Sequence, residues 1–175
     1  MAVPGARCLG RPFVAGAPQE GRHLVLDRAL EDELGAEAPE LAQLRADSTS
    51  EPLRIADRGA PPNAIEAPYI VERDGWFYLF ISLDSCCRGL DSTYKIAVGR
   101  SQQVTGPYLD RTGVPLLEGG GTVLLATNGA EIGPGGQSVS NGYLAYHFYD
   151  GNAGGAFRLA IRKLDWDAAG WPVAR

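Results

Sequence analysis

The chain has 175 residues, with 16 Lys and Arg against 21 Asp and Glu, a formal charge of −5 and 45% hydrophobic residues. That length suffices for one domain with its own core. The acidic balance excludes the clustered basic surface through which nucleic acid is held, and no apolar run is long enough for a membrane helix, so neither partner is expected.

The N-terminus carries Arg7 and Arg11, but no continuous apolar stretch follows. No secretory leader is read there, and the compartment stays open. Residues 1–60 are rich in Ala, Arg, Glu and Pro. Gly21–Asp27 reads as a strand. Leu30, Leu34, Leu41 and Leu44 sketch a helical stripe that Gly35 and Pro39 interrupt. No function is assigned to this segment.

Residues 61–175 read as a separate all-β unit. Glu66 stands in Asn63-Ala64-Ile65-Glu66-Ala67-Pro68, at the entry to a strand. Tyr69–Val71 and Trp76–Ser82 flank Asp74-Gly75, which is a strong hairpin signal. Thr93–Gly99 supplies a third strand. Gly106-Pro107-Tyr108 marks a turn, and Thr122–Ala126 closes a four-stranded sheet. The aromatic residues Trp76, Phe77, Tyr78 and Phe80 alternate across their strand and belong to a core.

The pattern then recurs. Asn141-Gly142 precedes Tyr143–Tyr149 as Asp74-Gly75 precedes Trp76, Phe157–Ile161 takes the place of Tyr94–Val98, and Gly170-Trp171-Pro172 echoes Gly106-Pro107-Tyr108. The spacing is roughly 65 residues, in the range of a propeller blade. A β-propeller and a plain antiparallel sandwich of hairpins both fit this periodicity.

Three cysteines do not make a disulfide framework. Cys86 and Cys87 are neighbours, a bond between them would be strained, and reduced thiols are expected. No Cys/His spacing suggests zinc, and the only histidines are His23 and His147. His147 falls mid-strand and reads as a packed residue.

The ordered motifs NAIEAP at 63–68, GWFYLFISLD at 75–84, CCRG at 86–89, STYKIAVGR at 92–100, GPY at 106–108, GGGTVLL at 119–125, IGPG at 132–135 and LDWDAAGWPV at 164–173 resemble glycoside hydrolase family 43, in particular its endo-1,5-α-L-arabinanases. The resemblance covers residues 61–175. It implies a five-bladed β-propeller whose inner strands line a central channel, with the active site at one mouth. It makes Glu66 the general acid that protonates the departing glycosidic oxygen; taken alone, Glu66 is simply a surface residue before a strand. Arg88 and Ser92, in the loop after the hairpin, are candidates for sugar contact. Asp84 reads as a loop carboxylate.

The resemblance also implies inverting hydrolysis of α-1,5-linked L-arabinofuranosyl chains, with arabinan or a related arabinose-containing polysaccharide as partner. Inversion needs a second carboxylate roughly 6.5–9.5 Å from the acid, and the family uses a third to orient it. Both come from blades before the Glu66 strand. Asp27, Asp32 and Asp47 lie in the preceding segment, but nothing in their setting recommends them, so no base is assigned. The family carries a channel ion held by a histidine after IGPG. Here Gly136 takes that position, and no cofactor or metal is expected.

Five blades need roughly 250 residues or more. The expected fold is therefore a partial five-bladed propeller, with two to three blades of four-stranded antiparallel sheets. A C-terminal fragment, a truncated or misread gene product, or a ring completed by another chain would each account for this length. Open sheet faces and edges would favour self-association. Activity of the isolated chain is expected to be low or nil. The alternative is a non-catalytic carbohydrate-binding or structural propeller remnant.

Overall fold

A computed structural model describes residues 24–25, 53–59 and 64–175. Two four-stranded antiparallel sheets dominate. The first runs β3 (Ile65–Arg73), β4 (Trp76–Leu83), β5 (Lys95–Ser101) and β6 (Thr122–Leu125), and the second β7 (Glu131–Ser140), β8 (Tyr143–Asp150), β9 (Ala156–Trp166) and β10 (Pro172–Ala174). Each is a meander in which neighbours in sequence pair in space. A short pair, β1 (Leu24–Val25) and β2 (Arg54–Ala56), stands before them.

The expected hairpins form where the turn chemistry placed them. Asp74 and Gly75 have φ of 50° and 77°, and Asn141 and Gly142 have 50° and 77°. Two consecutive left-handed residues match the twist of the flanking strands, and Asp-Gly and Asn-Gly tolerate that conformation best. The strand expected at Gly21–Asp27 appears as Leu24–Val25. The leucine stripe at Leu30–Leu44 and the carboxylates Asp27, Asp32 and Asp47 lie outside the described residues.

One strand has no alternating pattern in the sequence. The Gly- and Pro-rich IGPG run is the interior of β7, the second sheet's counterpart of β3. Such residues are depleted in regular strands. They are accommodated here because β7 is irregular, with register shifts between Ile132 and Gly135 and between Gly135 and Ser138.

Alternation on β4 sends side chains to two cores. Leu79, Ile81 and Leu83 pack with Ile55 and Ala56 of β2, Tyr108 and Leu116. Tyr78 and Phe80, with Ile96 and Val98 of β5, pack against Leu144 and Tyr146 of β8, Leu164 and Trp171. The first sheet is thus covered on both faces, one of them by the second sheet. The aromatic residues Tyr78 and Phe80 are buried, and Trp76 and Phe77 pack at the rims. The outer face of the second sheet is different: Phe157, Leu159 and Ile161 of β9 are exposed, Leu159 at 73%.

Candidate active site

Glu66 is the second residue of β3 and pairs with Ser82 of β4. Between Glu66 and Tyr69 the register slips, so that two residues of β3 face one of β4. This bulge re-aims the side chain beside it. It also explains Pro68, which has no N–H and sits where the ladder is already broken. Ala67 takes φ +48°, a left-handed conformation that a residue with a Cβ rarely adopts. The strained backbone is held in place, because the Ala67 carbonyl accepts a 2.7 Å bond from Gln137 Nε2 of β7.

The network continues from there. Ser82 Oγ donates to Gln137 Oε1 at 2.6 Å and accepts the Gly136 N–H at 3.0 Å. Both Ser82 and Gln137 are buried. Tyr94, just before β5, donates its hydroxyl to Glu66 Oε2 at 3.0 Å. Burial, and next the charge of Glu66, hold the Tyr94 phenol far above its ordinary pKa, so it remains a proton-bearing donor. Replacing Ser82 by Ala would strand Gln137 Oε1 and the Gly136 N–H. The expected cost is about 1–3 kcal/mol, read as a lower urea midpoint.

The glycines of β7 make room for this wall. A Cβ on Gly135 would stand 2.1 Å from the Tyr94 ring, and one on Gly136 2.6 Å from the His147 imidazole. His147 of β8 lies 5.9 Å from the Tyr94 ring in a stacked arrangement and 4.5 Å from that of Phe157. Burial pulls its pKa below the ordinary 6.5, with the charge of Glu66 opposing. The unfolded chain therefore takes up this proton first. Stability is greatest above pH 6.5 and declines as pH falls from 6.5 toward the lower folded value. Thermal melts between pH 7.5 and 5 should show this decline, and His147→Gln should flatten it.

Asp84 follows β4 and accepts from Arg58 Nε at 3.0 Å and Lys95 Nζ at 2.7 Å. Burial raises its pKa, but the bonds and charges of the two cations outweigh that and hold it below the ordinary 3.8. Arg88 is exposed. Ser92 is buried at 5%, and its hydroxyl accepts the Arg88 N–H at 3.0 Å. A Cβ on Gly133 would stand 2.7 Å from that of Ser92, so Ser92 packs beneath β7. Tyr94, Ser82 and Gln137, which bind the site together, carry no individual signal in the sequence. Only the pairing of the two sheets reveals their roles.

Among the described residues, no group of three or more His, Cys, Asp or Glu is placed to hold a metal. At the position where the family places a histidine, the Gly136 Cβ site is filled by the His147 ring.

The sequence pattern of the glycosyl hydrolases family 43 matches residues 15–172. The chain belongs to glycosyl hydrolase family 43. The extracellular endo-α-(1→5)-L-arabinanase 1 of Bacillus subtilis is 50% identical over 119 residues, covering 67% of this chain and 36% of that enzyme. The family 43 endo-arabinanase of Bacillus licheniformis superposes with a TM-score of 0.69 at 48% identity, covering 71% of this chain and 43% of that one. An α-L-arabinanase of Cellvibrio cellulosa, solved in complex with arabinohexaose, superposes at 0.60 with 43% identity, covering 63% of this chain and 36% of the other. The chain thus spans less than half the length of these relatives. The two four-stranded sheets are blades of the family's five-bladed β-propeller, with β3 and β7 as the first strands of their blades.

Proposed function

We propose that this chain carries the proton-donating part of an arabinanase-type active site, acting on α-1,5-linked L-arabinofuranosyl chains with inversion. The supporting observation is the placement of Glu66 on a bulged first strand, with one carboxyl oxygen held by Tyr94. A phenol donating to Oε2 favours Oε1 as the oxygen that carries the proton. That proton passes to the departing glycosidic oxygen as the bond breaks. Arg88, exposed in the loop after β4, is suited to contact sugar hydroxyls, and Ser92 supports it by fixing the backbone of that loop. In this reading no resident ion is held at Gly136.

The water-activating carboxylate is not assigned. Asp84 is a poor candidate because two cations already occupy its oxygens. That observation favours a second reading, in which the chain binds arabinan without cleaving it. The exposed apolar face of β9 is suited to packing against a further blade, including one from a second copy.

Linear arabinan with reducing-end detection, alongside calorimetry with arabinotriose, separates the readings. Heat of binding together with release of β-configured product supports the inverting hydrolase. Binding without release supports the carbohydrate-binding reading. Neither binding nor release sinks both.

A further inference from the structure

We propose that Cys86 and Cys87 form a reversible two-electron redox site, closing a vicinal disulfide in the loop between β4 and β5. Their Sγ atoms lie 2.7 Å apart. Cys87 is exposed and Cys86 partly buried. The backbone is set for this approach: Cys87 takes φ +65°, outside the range that residues with a Cβ ordinarily adopt, and its N–H is held by the Tyr149 hydroxyl at 3.1 Å.

The loop around the pair is clamped. Thr93 N–H donates to the Ser85 carbonyl at 3.0 Å, and Ser85 N–H donates to Thr93 Oγ1 at 3.2 Å. Arg88 N–H donates to Ser92 Oγ at 3.0 Å, and Ser92 N–H to the Gly89 carbonyl at 3.2 Å. The backbone that carries the two thiols is therefore pinned on both sides. A bond between adjacent residues, one of them exposed, is of the labile kind that thiols readily reopen.

The oxidant is a low-molecular-weight disulfide such as glutathione disulfide. The exposed Cys87 thiolate attacks one of its sulfurs, forming a mixed disulfide and expelling one glutathione thiolate. The Cys86 thiolate then attacks the Cys87 sulfur, forming the Cys86–Cys87 bond and expelling the second. The two protein thiols are oxidised and one glutathione disulfide is reduced to two thiols, which take up the two protons. The loop joins β5 beside Tyr94, so closure stiffens one wall of the candidate site. The redox assignment does not depend on the hydrolase reading.

The test uses the full chain with Cys8→Ser, which leaves only the pair, exposed to glutathione disulfide and followed by intact mass and maleimide labelling. The expected result is a monomer lighter by about 2 Da, with loss of both reactive thiols and recovery of both on adding dithiothreitol. Peptide mapping of the unsubstituted chain, which needs no variant to fold, should find the link within one peptide. Thiols that stay reactive, a persistent glutathione adduct on the pair, or a disulfide-linked dimer would each overturn the proposal.

Discussion

Glu66→Gln is expected to lower the release of reducing ends from linear arabinan by about 10²–10⁴-fold, the usual contribution of a positioned general acid. The amide oxygen of Gln can still accept the Tyr94 hydroxyl bond seen at 3.0 Å, so the melting temperature should hold. A 2,4-dinitrophenyl α-L-arabinofuranoside sharpens the test. Its leaving group departs without a proton, so the same variant should lose far less on it than on arabinan. The contrast between the two substrates can be read at a low absolute rate. Equal losses on both, or no loss on either, would remove Glu66 from the role of acid.

Gly135→Ala is expected to lower stability markedly. The added methyl would stand 2.1 Å and 2.2 Å from two carbons of the Tyr94 ring. That ring is 3% exposed and cannot swing into solvent. Overpacking of this kind costs typically about 1–3 kcal/mol, and more where nothing can give; the upper end is expected here. For a chain of this size the melting temperature should fall by about 2–4 °C for each kcal/mol. Tyr94→Ala removes the obstacle at its own cost of about 3–5 kcal/mol, by analogy with other large aromatic truncations. The double variant should therefore lose less than the two single losses together, a coupling that urea denaturation measures. Strict additivity would show that the ring and the glycine do not meet. Moving Tyr94 also takes the donor away from Glu66, so the variant links packing to the site.

Much of the architecture is legible in the residues because it rests on local rules. Asp74-Gly75 and Asn141-Gly142 announce hairpins, since few other pairs accept two left-handed positions. The aromatic run from Trp76 marks a core strand, and the structure divides its side chains between two cores. The roughly 65-residue recurrence matches the succession of two sheets. Strand β7 escaped this logic. Its Ile132–Gly135 run carries no alternation, and its glycines leave the space that Tyr94, Ser92 and His147 fill.

The candidate site divides in the same way. The short-range pattern of the chain alone determined the twin meanders, the hairpin turns and the position of Glu66 at the entry to a strand, because neighbours in sequence settle these. Only the tertiary structure decided that Tyr94 grips Glu66 and that Ser82 and Gln137 pin the strained Ala67 carbonyl. It likewise decided that two cations occupy Asp84. These contacts join residues far apart in the chain, several of them across two sheets, and a hydrogen bond between such partners leaves no periodic trace in either segment.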